Sequence, residues 1–116
     1  MLRQSLLPAR IEGIRTASLA APETLRLCRS ERDAVLASIA LSTLTYSEIG
    51  ARCGVTKQAV EKWARNGVPD ARLRAFCNAT GTRLVEQYRA LQEAMREVEG
   101  RMRERDYVAA IVRTAA

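Results

Sequence analysis

The stretch that decides the fold runs from Thr45 to Gly67 and reads TYSEIGARCGVTKQAVEKWARNG. Its first four residues form a capping box, in which the Thr45 hydroxyl accepts a hydrogen bond from the Glu48 amide and the glutamate accepts one from the Thr45 amide. A helix therefore begins at Tyr46. It ends at Gly54, because glycine tolerates the left-handed conformation of a sharp helix exit.

A second helix follows this turn after three residues. Thr56 provides its N-cap, and Gly67 followed by Pro69 ends it. The two helices can cross closely only where a small residue lies between them, and Gly50 occupies that position. We expect the wedge between the helices to be filled by the apolar side chains of Ile49, Cys53, Val55, Val60 and Trp63.

The opposite stripe of the second helix is entirely polar and consists of Lys57, Gln58, Glu61, Lys62 and Arg65. Such side chains can hydrogen-bond to base edges or to phosphates. A helix, a glycine-containing turn and a short second helix with an outward polar face are typical of a DNA-binding helix-turn-helix. This stripe is therefore predicted to enter the major groove.

The flanking sequence predicts an all-α protein. Ser30 caps a helix that ends near Thr43, and a further helix fits Asp70 to Ala79. We predict a helix-turn-helix domain of four to five helices over residues 30–81, with a partly ordered arm over residues 1–29. Residues 82–116 are predicted to form a long amphipathic, coiled-coil-like helix for oligomerisation.

That long helix carries a heptad seam, in which spacings of four and three alternate. The seam consists of Leu84, Tyr88, Leu91, Met95, Val98, Met102, Arg105, Ala109 and Val112. A competing interpretation is that residues 84–98 fold back on the domain, but residues 84–112 span about 43 Å, more than a small domain can cover. We predict a homo-oligomer formed through Leu84, Tyr88, Leu91, Met95, Val98 and Met102. The sequence leaves open whether the coil has two, three or four strands.

The charge distribution supports a polyanionic partner. Nineteen lysines and arginines stand against 13 acidic residues, which gives a net charge of +6. Residues 45–75 hold six basic and three acidic residues, whereas residues 83–113 mix seven arginines with six acids. A basic segment beside a nearly neutral helix indicates a nucleic-acid partner for the first and a different role for the second.

Other function classes find little support. The three cysteines form no C-x-x-C pair and the chain has no histidine, so we expect no metal and no cofactor. An enzyme is the least expected class, because no nucleophile–base pair or glycine-rich phosphate loop is present. The absence of a signal-type or spanning apolar run predicts a cytoplasmic protein without a membrane partner.

The helix-turn-helix residues also carry a family resemblance. The pattern Glu48-Ile49-Gly50-x-x-Cys53-Gly54-Val55-Thr56-x-x-Ala59-Val60-x-x-Trp63, followed by Gly67-Val68-Pro69 and Ala79-Thr80-Gly81, resembles the Cro/C1-type helix-turn-helix of phage repressors and YdaS-like regulators. The resemblance covers residues 30–81, with Gly50 where that family usually has alanine. Residues 31–36 and 46–50 also look like sigma-factor region 4 or LuxR-type output domains.

Both resemblances imply that the helix over residues 56–66 reads double-stranded DNA. They imply base contacts by Lys57, Gln58, Glu61, Lys62 and Arg65, and phosphate contacts by Thr56, Arg52, Arg72 and Arg74. The leading hypothesis is an oligomeric phage or bacterial transcriptional regulator, either repressor or activator. The alternatives are an accessory protein of phage DNA packaging or recombination, and a coiled-coil adaptor that binds proteins.

Overall fold

The computed structural model describes residues 16–115, and the regular structure of these residues is helical apart from one parallel bridge between Ser18 and Thr82. The helices are α1 (Pro22–Leu27), α2 (Glu31–Ser42), α3 (Tyr46–Cys53), α4 (Lys57–Asn66), α5 (Asp70–Thr80) and α6 (Leu84–Ala115). The all-α prediction is confirmed. The part of the predicted arm over residues 1–15 lies outside the described residues.

Side-chain caps start the three helices that lead into and through the helix-turn-helix. The hydroxyls predicted as caps accept the expected amide bonds: Ser30 from Asp33 at 3.2 Å, Thr45 from Glu48 at 3.1 Å, and Thr56 from Ala59 at 3.1 Å. The Glu48 carboxylate completes the capping box by accepting from the Thr45 amide at 2.8 Å. These local bonds fix where each helix begins, as the sequence predicts.

One apolar core joins helices α2 to α6. Each contributes at least one fully buried side chain: Val35 from α2, Ile49 from α3, Val60 from α4, Phe76 from α5, and Leu84 and Val85 from α6. Trp63 meets Phe76 edge to face, with ring centroids 6.1 Å apart. The core thus lies behind α3 and α4 and holds both in place.

The close crossing of α3 and α4 depends on Gly50. Its carbonyl accepts from the Val55 amide at 2.8 Å, and a Cβ built on it would lie 2.8 Å from the Val55 carbonyl oxygen and 3.1 Å from that of Thr56. Gly54 turns the chain with a φ of 72°. The predicted role of Gly50 at the crossing is confirmed.

The segment before α1 is attached to the start of α6. The Ser18 amide donates to the Gly81 carbonyl at 3.1 Å, and the Arg83 amide donates to the Ser18 carbonyl at 2.8 Å. The Gln87 side chain bonds both backbone groups of Ala20. This part of the predicted arm is therefore ordered against the domain.

A guanidinium clamp sets the direction of α6. Arg89 donates to both carboxylate oxygens of Glu31, at 2.9 and 2.7 Å, and to the Asp70 carboxylate at 2.7 Å. It also donates to the Val68 carbonyl. These contacts raise the pKa of Arg89, with the hydrogen bonds to Glu31 as the largest cause. The clamp ties α6 to the first turns of α2 and α5.

Only the first turns of α6 pack on the domain. Leu84 is fully buried and Tyr88 is 9% exposed, whereas Leu91 is already 38% exposed. The prediction that Leu84 and Tyr88 serve in oligomerisation is therefore wrong, because they complete the core of their own domain. The fold-back interpretation holds for this start of α6 but not beyond Leu91.

Among residues 16–115, no single helix is sufficiently long and apolar to cross a bilayer. Helices α2 and α3 together have sufficient length and apolar composition, but a bend of 97° separates them.

Substitutions at the two glycines inside the described helices, Gly50 and Gly100, test the close crossing of α3 and α4. Gly50→Ala is expected to destabilise the fold by about 1–3 kcal/mol, because the added methyl group overlaps backbone oxygens that cannot move independently. Gly100→Ala meets nothing within 4 Å and is expected to stabilise α6 by about 0.5–1 kcal/mol. Urea unfolding of both variants measures the difference, and stabilisation of both would contradict the close crossing.

Candidate nucleic-acid interface

Helix α4 has one buried face and one solvent face. Val60, Trp63 and Ala64 are buried, whereas Lys57, Gln58, Lys62 and Arg65 are exposed and Glu61 is half-buried. The predicted polar stripe is thus assembled on a single outward surface. We call the five residues Lys57, Gln58, Glu61, Lys62 and Arg65 the α4 face.

The α4 face is not uniformly basic. The ammonium group of Lys57 lies 3.9 Å from the Glu61 carboxylate, one helical turn away. Such an exposed pair contributes at most about 0.5 kcal/mol, so it can open at little cost when another partner arrives. Donors and an acceptor are therefore adjacent on one surface, which suits contacts to bases better than contacts to phosphates alone.

Trp63 belongs to the core and not to the α4 face. It is 6% exposed and lies edge to face against Phe76. An indole held in this way cannot stack on a nucleic-acid base. The prediction that Val60 and Trp63 are core residues is confirmed, and the indole anchors α4 from behind.

Cys53 lies at the end of α3 beneath the turn. Burial raises the pKa of its thiol, and the nearby charge of Arg72 partly opposes this shift. Burial also raises the pKa of Cys77 to about 11. Both thiols therefore remain protonated at neutral pH and act as small apolar side chains.

Two exposed arginines flank the turn. Arg52 is in the last turn of α3, and Arg72 is in the first turns of α5, close enough for its charge to act on Cys53. Thr56 lies between the two helices. Its hydroxyl oxygen accepts a hydrogen bond from the Ala59 amide, and its O–H group can still donate one. We call Arg52, Thr56 and Arg72, which lie near the turn between α3 and α4, the polar rim.

Arg74 has a different environment from the one predicted. Its Nε donates to Glu86 of α6 at 2.8 Å, and the other oxygen of that carboxylate accepts from Arg83 at 2.9 Å. Burial opposes ionisation of Glu86, but the bonds from the two arginines lower its pKa below the usual value. The charged carboxylate thus pairs with Arg74 on the side of α6, while 69% of the arginine side chain stays exposed, and its predicted phosphate contact stays a prediction.

Comparisons with known proteins leave the family open, since the chain has no match among protein-family models, curated proteins or solved structures. The resemblance to Cro/C1-type regulators therefore stays a prediction based on the motif residues. Within residues 16–115, no cluster of three or more metal-binding side chains occurs.

The capping box makes the helix-turn-helix sensitive to acid. Hydrogen bonds from Thr45, its backbone amide first, lower the pKa of Glu48, and the charge of Arg52 adds to this shift. A carboxylate with a lowered folded-state pKa stabilises the fold above its unfolded pKa, and this contribution is lost as the pH falls through the folded pKa.

Glu48→Gln is accordingly expected to be less stable than the parent protein at pH 7, with a difference that narrows toward pH 3. Urea unfolding over this pH range measures it. Glu93→Gln provides the control, because this exposed glutamate of α6 lies outside any capping box. A pH-independent difference for the Glu48 variant would contradict the proposed origin of its stability.

Proposed function

We propose that this chain is a sequence-specific, double-stranded-DNA-binding transcriptional regulator that inserts α4 into the major groove. The observation that carries the proposal is the division of α4 into a face locked in the core and a wholly polar outward face. Three cations, one amide and one carboxylate occupy that outward face within nine residues. A helix of ten residues is about 15 Å long, which suits a groove about 12 Å wide.

The chemistry of the α4 face fits base recognition. Gln58 offers the amide that pairs with both adenine edge groups, and Lys57 or Arg65 can donate to the two acceptors of guanine. Glu61 can accept from the amino group of cytosine. Lys57 and Gln58 begin the helix, at the end where recognition helices concentrate their base contacts.

The polar rim supplies contacts that fix the register of α4. Arg52 and Arg72 carry exposed positive charges near the turn, and the Thr56 hydroxyl can donate a hydrogen bond. Phosphate contacts of this kind position a protein without reading sequence. Arg74 takes no part in this proposal, because Glu86 already binds it.

The base contacts can be tested by substitution in the α4 face. DNA fragments selected by the purified protein from a random pool serve as the ligand in fluorescence anisotropy. Lys57→Ala and Gln58→Ala are each expected to weaken binding to the selected fragment about 10- to 100-fold, the worth of a bidentate base contact. Binding to a scrambled fragment is expected to change much less for Gln58→Ala.

Arg103→Ala provides the control for loss of a cation, because Arg103 is exposed on α6, far along the helix from the domain. It is expected to leave both affinities within about threefold. If the two α4 variants bound the selected fragment as well as the parent protein, α4 would not be the reading helix.

The rim arginines can be distinguished by salt dependence. Arg72→Ala is expected to reduce the slope of log Kd against log salt concentration by about one, as the loss of a single phosphate contact does. Arg74→Ala is expected to leave the slope unchanged, since its guanidinium already pairs with Glu86. Equal slopes for the parent protein and Arg72→Ala would remove Arg72 from the interface.

A second candidate function is a protein-binding adaptor. It is favoured by α6 beyond Leu91, where apolar side chains are exposed. In that case, replacing both Lys57 and Gln58 with alanine would leave the biological output intact, whereas replacing Met95 and Val98 with serine would abolish it. Loss of the output on replacing Lys57 and Gln58 supports the DNA-reading role.

A further inference from the structure

We infer that a second copy of this chain covers residues 91–112 of α6 as a parallel, in-register, two-stranded coiled coil. The inference goes beyond DNA binding and does not depend on it. It specifies the direction of the partner, its register and the number of strands, none of which the heptad spacing alone determines.

The surface to be covered begins where the core ends. After Tyr88, α6 continues for another 27 residues to Ala115, or about 40 Å. A row of apolar side chains on this part is exposed by 38% to 62%: Leu91, Met95, Val98, Met102 and Val112. The row is interrupted at Arg105, and an exposed apolar row of this kind marks an interaction surface.

A parallel partner in register places opposite charges together. With Met95 and Met102 at the a positions, the g positions of one helix lie beside the e positions five residues further on in the other. Arg101 then faces the partner's Asp106, and symmetry makes two such pairs. The remaining g–e pairs within residues 91–113 join an apolar with a charged residue, so no like charges meet at these flanking positions: residues 94 with 99, and 108 with 113.

Antiparallel partners meet like charges instead. In the register that places residue 91 beside the partner's residue 109, Glu99 faces the partner's Glu99 and Arg101 faces the partner's Arg101. A shift of one heptad toward the C-termini sets Glu99 against the partner's Asp106. A shift toward the domains sets the partner's Arg105 against Tyr88, which is already buried in its own domain. Charge complementarity at the flanking e and g positions, together with the burial of Tyr88, therefore favours the parallel arrangement.

Arg105 selects two strands over three. It occupies a d position, where the parallel in-register pair sets it beside the partner's Arg105, and a charged side chain enclosed at such a position is costly. In a two-stranded coil the flank of a d position stays open to solvent, so the aliphatic part of Arg105 can lie along the seam while its guanidinium reaches the partner's Asp106. A third strand would close that exit.

The pairing requires little rearrangement of the isolated chain. Arg101 lies 3.5 Å from Glu97 of its own helix, and both side chains are more than two-thirds exposed. Such a pair is worth little in water, so Arg101 can turn to a partner. Because the clamp at Arg89 fixes α6 to the domain, parallel pairing places both α4 faces at the same end of the coil.

A charge exchange tests the direction and the register. Arg101→Glu and Asp106→Arg are each expected to raise the dissociation constant of the dimer about tenfold, since each turns two attractive contacts into repulsive ones. The double variant Arg101→Glu/Asp106→Arg is expected to return to within about threefold of the parent protein. Sedimentation velocity over a concentration series measures all three, with circular dichroism at high concentration to verify folding.

The matched control is the exchange of Arg103 and Glu104, which lie on the outer side of the coil. Arg103→Glu, Glu104→Arg and their combination alter the same charges and are expected to leave dimerisation within about threefold. Failure of the double variant at 101 and 106 to recover would overturn the pairing. A parent protein that remains monomeric at about 100 µM would overturn the whole inference, whatever its affinity for DNA.

A cysteine variant gives an independent readout of direction. Val98→Cys is expected to form a disulfide between the two copies of position 98 on mild oxidation, because this d position faces itself in a parallel pair. Peptide mapping separates this bond from any that involve Cys28, Cys53 or Cys77. In mixtures of Val98→Cys and Met102→Cys chains, a predominant bond between positions 98 and 102 would show an antiparallel pair and overturn the inference.

Discussion

The contact on which the rest of the structure depends is the approach of the α3 backbone to the turn at Gly50. The Val55 amide donates to the Gly50 carbonyl at 2.8 Å, and the space that a side chain would take is filled by the carbonyls of Val55 and Thr56. This close contact at the turn fixes the direction of α4. With α4 in this orientation, Val60 and Trp63 lie in the core and the α4 face is exposed to solvent. The candidate interface is therefore a consequence of a backbone contact.

The clamp at Arg89 orients α6 in a similar way, but through ion pairs instead of a close backbone contact. Its two acidic partners, Glu31 and Asp70, lie in the first turns of α2 and α5, where the helix dipole already favours negative charge. The carboxylates thus stabilise two helix starts and orient a third helix. Because Glu31 engages both of its oxygens, the planar guanidinium has a fixed orientation as well as a fixed position. Helix α6 is thereby attached to the domain that also holds α4.

The sequence predicts those features whose causes are local. The caps at Ser30, Thr45 and Thr56 act within three residues, and the glycine turn and the α4 face follow from helical spacing. The sequence does not predict that Arg74 binds Glu86, or that Arg89 binds Glu31, because no local pattern identifies partners 12 and 58 residues apart. The heptad also misleads at its start, since Leu84 and Tyr88 have the periodicity of a seam whether their own domain or a second chain covers them.

That continuity of spacing explains how one helix can serve two surfaces. Residues 84–88 and residues 91–112 share a single stripe, so α6 passes from the core to the exposed row without a break in its pattern. The exposed part receives little support from the domain, and Gly100 in its middle weakens it by about 0.5–1 kcal/mol relative to alanine. An isolated helix of this length is only marginally stable in water, and most helical stability in proteins comes from packing of an apolar face. In the inferred dimer, formation of the outer part of α6 and its association with a second copy are therefore linked, and the number of α4 faces presented together would depend on the concentration of the protein.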